Sequence, residues 1–102
     1  MKFVAAIRER GPQWDQALPM MKQKGWKDHA AFMDALADEG FVVLGGPWGE
    51  GEKRFLLVFD TESKATVEGR LEADPWTGMG LLRIAEIAPW EILLRRGPSV
   101  SG

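Results

Sequence analysis

The chain has 102 residues, no cysteine, and 13 lysines and arginines against 15 acidic residues, for a formal net charge of -2. A chain of this length makes one domain that buries roughly two thirds of its unfolded surface without covalent staples, and zero cysteines exclude disulfide frameworks, thiolate catalysis and thiolate metal sites. No basic block exceeds the pair Arg95 and Arg96, so nothing can displace counterions along a phosphate backbone, and nucleic acid is excluded as a partner.

The opening residues MKFVAAIRERGP lack the apolar length of a signal peptide, and no run reaches the length of a membrane span. The expectation is a soluble cytoplasmic protein, with one domain over residues 1–96 and a flexible tail over 97–102. FVAAIR, residues 3–8, predicts a first strand with apolar residues on both faces. Residues 11–25, with two prolines and an apolar cluster near Met20, predict a structured loop holding a helical turn.

Residues 27–39 predict the main helix, with Asp28 as N-cap. His29, Phe32, Met33 and Leu36 recur at i, i+3, i+4 and i+7, so the chain's single histidine shares the core-facing stripe, while Asp34 and Asp38 lie opposite. Gly40 ends that helix. FVVLGG, residues 41–46, predicts a second strand stopped by its glycines and Pro47, and residues 48–53 predict a glycine-rich hairpin connection.

RFLLVFD, residues 54–60, predicts a third strand, again apolar on both faces. A second helix is predicted over 61–73, capped by Asp60 or Thr61, weakened by Gly69 and closed by Asp74 and Pro75. A fourth strand is predicted over 81–88, where Pro89 interrupts the ladder before a last extended piece, residues 90–94. The order strand, helix, strand, strand, helix, strand predicts an α+β fold of ferredoxin-like βαββαβ type with an antiparallel sheet. The chain's two helices cover one sheet face. The other face is also apolar, and a second copy packed against it as a homodimer is the economical cover.

Two polar groups stand out against this background, His29 and Asp74. Both helices lie on one sheet face, so the start of the first can approach the end of the second, and a carboxylate there would fix the imidazole tautomer. A hydrogen-bonded core histidine and a turn aspartate are the plain alternatives. Arg8, at the end of the first strand, either holds a substrate carboxylate or sits in solvent. One histidine and no cysteine leave no recognisable metal motif, and GGPWGEG lacks the lysine and hydroxyl residue of a phosphate loop, so neither metal nor other cofactor is expected.

MKFVAAIR at the start, DHAAFMDALADEGFVVLGGP in the middle and EADPWTGMGLLRIAEIAPWEILL near the end together resemble the YCII-related (YciI-like) family of the dimeric α+β barrel superfamily. The resemblance covers nearly the whole chain in order, with a longer segment over 11–25 than the shortest members carry. It implies a protomer that dimerises through its sheet and a cleft whose His-Asp pair, His29 and Asp74 here, performs acid–base catalysis. It also implies, through one relative of assigned reaction, dechlorination of hydroxylated aromatic rings. The expected function is a cofactor-independent lyase or isomerase acting on a small organic acid or cyclic aromatic metabolite. His29 transfers a proton, Asp74 orients it, and Gly46, Pro47 and Trp76 wall the pocket beside Arg8. The alternatives are a non-catalytic ligand-binding or accessory module with a structural His-Asp contact, and a haem binder of the kind known among other dimeric α+β barrels.

Overall fold

The computed structural model of the protein describes residues 1–97, so the expected tail over 97–102 lies, apart from Gly97, outside the described residues. Four strands, β1 (Lys2–Arg10), β2 (Val42–Pro47), β3 (Arg54–Phe59) and β4 (Leu82–Glu91), form one sheet in the order β2-β3-β1-β4. All three pairings are antiparallel. Helices α1 (Trp26–Asp38), α2 (Lys64–Glu72) and a single turn, α3 (Pro75–Gly78), complete the ferredoxin-like α+β fold. The loop over 11–25 contains a single 3-10 turn, Met20–Lys22, as its apolar cluster suggested.

The strand alternation decides which side chains meet the helices. Val4 and Ala6 of β1 sit opposite Phe59 and Leu57 of β3, and these four pack on Leu36 of α1 and on Val67 and Leu71 of α2. A second cluster, Trp14, Phe55, Trp76, Leu81 and Leu82, fills the end of the sheet where β1 leaves it. The alternate residues Ala5, Ile7, Leu56 and Val58 point to the other sheet face, as does Leu44, paired with Val58.

Several boundaries differ from expectation for local reasons. Helix α1 starts at Trp26, because Gly25 adopts a positive φ of 77° as its N-cap and turns the chain early, leaving Asp28 inside the first turn. At the other end, the Gly40 amide bonds Ala37 O and the Phe41 amide bonds Leu36 O, a Schellman closure that needs the left-handed glycine. Helix α2 is capped by Ser63, whose Oγ accepts from the Thr66 amide at 3.1 Å. Thr61 instead accepts from the Ser63 amide in a turn, which keeps residues 61–62 out of the helix.

Strand β4 also departs from expectation, running unbroken through Pro89, which pairs with Val4. Because β4 is an edge strand, alternate N–H groups face solvent, and a proline there costs no ladder bond. A bulge moves the β4 register at Ala85, so that Ile84 and Ile87 both reach the core.

Two glycines give opposite expectations under mutation. Gly11 donates its amide to Leu81 O at 2.8 Å, and a Cβ on it would overlap the carbonyl oxygen of Gly80. Gly69 sits mid-helix in open space. Urea titrations of Gly11→Ala should show a loss of about 1–3 kcal/mol from overpacking, whereas Gly69→Ala should gain about 0.5–1 kcal/mol from reduced chain entropy.

Candidate functional site

Three chain segments converge where β1, the start of α1 and the junction between α2 and α3 meet. Asp74 follows the last turn of α2, and its carboxylate caps α3 by accepting from the Trp76 amide at 2.9 Å, with Pro75 at the first helical position. The same carboxylate accepts from Arg8 Nη1 at 2.8 Å and lies 2.9 Å from His29 Nδ1 through both oxygens. All three side chains are removed from solvent: Asp74 and Arg8 are each 1% exposed and His29 4%.

Burial alone raises the pKa of the Asp74 carboxyl. The hydrogen bonds from His29, Arg8 and the Trp76 amide, with the charge of Arg8, outweigh that burial and hold the group below its ordinary value of 3.8. Asp74 is therefore an anion at neutral pH, and an ionised carboxylate only accepts. The proton between the two groups must then sit on Nδ1, so that whenever the ring is neutral Nε2 is its acceptor nitrogen. Among the described residues, Nε2 has no hydrogen-bond partner.

The imidazole plane is held from a second direction. Trp76 stacks on it with ring centroids 3.9 Å apart and planes 5° from parallel, and its indole Nε1–H donates to Lys24 O at 2.8 Å. Trp26 tilts against both rings. The opposite side of Arg8 is tied down as well, Nη2 donating to Thr77 Oγ1 at 2.9 Å while that hydroxyl donates to Leu71 O at 2.7 Å.

A cavity of about 450 Å³ opens beside His29, between α1 and the strands β2 and β3. Its walls are mostly hydrocarbon, including Met20, Trp26, Met33, Phe55 and Leu57, with Gly46 and Pro47 at the β2 side. Gly45 also lines it, and a Cβ there would strike the side chain of Leu57. Of the residues expected to carry the site, His29, Arg8, Gly46 and Pro47 line this cavity, with Asp74 behind the imidazole.

Two expected placements need correction. Trp76 does not wall the cleft: it is fully buried and acts on the imidazole face from beneath. Arg8 is not a solvent residue, and both of its terminal nitrogens are engaged by Asp74 and Thr77, which leaves only the buried Nε without a partner. The contribution of Thr77 was missed; a threonine three residues after an N-cap aspartate carries no sequence signal beyond that of any helix turn.

No known protein family's model matches the chain, and no curated protein matches it. Solved structures do. The chain is similar to 5-chloro-2-hydroxyhydroquinone dehydrochlorinase (TftG) from Burkholderia phenoliruptrix AC1100, in complex with 2,5-dihydroxybenzoquinone, with 21% identity and a TM-score of 0.57 over 90% of this chain and 93% of that one. It is also similar to protein YJCS, with 10% identity and a TM-score of 0.53 over 89% of this chain and 97% of that one. At these identities the likeness establishes the shared α+β fold.

The depressed Asp74 pKa gives stability with a definite pH sign. Its contribution is present above the ordinary value of 3.8 and is lost as pH falls toward the lower folded value. Urea midpoints of wild type and Asp74→Asn should therefore differ most at neutral pH, and the gap should close progressively below about pH 4.

Proposed function

We propose that this protein is a small acid–base enzyme of the YciI-like kind, in which His29 Nε2 exchanges a proton with a cyclic aromatic substrate held in the adjoining cleft. The observation that carries this reading is the coupling of a free Nε2, next to a substrate-sized cavity, to an Nδ1 fixed by a buried anion. A core histidine with a purely structural role has no use for an apolar cavity at its unpartnered nitrogen.

In this mechanism Nε2 removes a proton from a substrate hydroxyl, and Asp74 stabilises the imidazolium that forms. Arg8 keeps Asp74 ionised, and so acts on the reaction through that carboxylate. The imidazolium returns that proton to the ring carbon that bears the leaving group, making it tetrahedral, and loss of a second hydroxyl proton to solvent then drives the leaving group out as an anion and leaves a quinone. The step is redox-neutral and needs no electron acceptor. The dehydrochlorinase activity named for the similar structure from Burkholderia is a reaction of this class, which supports the reading by analogy.

We also infer that the protein works as a homodimer through the sheet face turned away from the helices. Ile7 and Leu56 lie half-buried on that face beside the exposed Leu44, with Trp90 exposed on β4. Replacing Leu56 with glutamate should give a folded monomer by sedimentation. A soluble dimer after that change would count against the interface.

The catalytic reading is tested by following the His29 ring nitrogens by NMR while titrating in halogenated and unhalogenated hydroquinones, with halide release measured alongside. Wild type should show perturbation of Nε2 and turnover of a halogenated member. His29→Gln should abolish turnover, and Asp74→Asn should lower it by about 10²–10⁴-fold. A ring that ignores every compound, with no halide released, would remove the reading.

A further inference from the structure

The cleft has an unusual charge balance. Three ionisable side chains line it: Arg8, His29 and Asp34. The Arg8 guanidinium is buried, cancelled by Asp74 and hydrogen-bonded to Thr77. Among the described residues no lysine and no second arginine lines the cavity, and Arg8 Nε, though without a partner, is shut off from solvent, so no exposed lysine or arginine there receives a substrate carboxylate. Asp34 is the charge left over, on an exposed position of α1.

The helix sets the spacing between the two polar ends. The cavity face of α1 runs from buried His29 through Ala30 and Met33 to Asp34. Five residues at a rise of 1.5 Å separate His29 and Asp34 by about 7.5 Å along the axis. Trp26, Met33 and Phe55 supply flat or adaptable apolar surface in between. A flat ring with a hydroxyl at each end can meet both groups, one proton facing Nε2 and one donated to the Asp34 carboxylate in a charge-assisted bond. A carboxylate on the same ring would face Asp34 across apolar walls, where screening is weaker than in bulk water.

We propose that the cleft selects uncharged, hydroxyl-bearing rings over carboxylates, and that Asp34 sets this selection at the cleft mouth. The inference rests on the acid–base reading above and narrows its substrate to the neutral aromatic class.

The test compares hydroquinone with its carboxylated counterpart gentisate on the full chain, reading affinity by NMR titration at the Trp26 indole and contact with the site at His29 Nε2. Wild type should prefer hydroquinone by about tenfold or more, and the preference should narrow as salt is raised. Asp34→Asn should bring the two within about threefold while hydroquinone still perturbs His29, and Asp34→Lys should favour gentisate. Because Asp34 is exposed, both variants should keep the wild-type circular dichroism. Equal binding of the two rings by wild type, or an unchanged preference in Asp34→Asn, overturns the selection proposed here while leaving the acid–base reading standing. Failure of both rings to perturb His29 overturns the two together.

Discussion

The site depends on a single buried carboxylate. Asp74 is almost wholly withdrawn from water, a placement that is costly for an anion unless its oxygens are satisfied. Here they are, by an arginine from β1, a ring nitrogen from α1 and the amide that opens α3. Each donor comes from a different element of the fold, so the carboxylate acts as a rivet between sheet and helices. The arrangement also settles which imidazole nitrogen faces the cleft, so structure and chemistry share one set of contacts.

Much of this was legible in the chain. The alternation in FVAAIR and RFLLVF, the 3.6-residue recurrence of His29, Phe32, Met33 and Leu36, and the stop at Gly40 reflect strong local signals, and they produce the observed strands and helix. The meeting of His29 with Asp74 follows from topology, because β1 and β3 are antiparallel, so the helices that follow them run antiparallel on one sheet face and bring the start of one near the end of the other. The resemblance to YciI-like proteins pointed to the same pair.

What was not legible is instructive. Asp74 followed by Pro75 reads equally as the end of one helix and the N-cap and first position of the next, and only packing of Trp76 decides for the second. Ser63 wins the cap of α2 because Thr61 is already occupied in a turn, a competition that propensity does not resolve. The partners of Arg8 lie 66 and 69 residues away, so no local pattern separates a guanidinium bound to its own fold from one awaiting a ligand. Trp76 was expected at the pocket wall, but a large flat side chain offers little sequence evidence of which of its faces is used.

The separation of the three polar residues along the chain has a further consequence. His29 and Asp74 are 45 positions apart, and Arg8 and Asp74 are 66 apart, bridged by strands that pair antiparallel across the whole sheet. No contiguous fragment can reproduce the contact, and the loop closures it requires are complete only when β1 is seated between β3 and β4. The tautomer of the single imidazole is thus a built-in indicator of global folding. A population of molecules that has lost its sheet pairing has also lost the carboxylate that holds the ring proton on Nδ1.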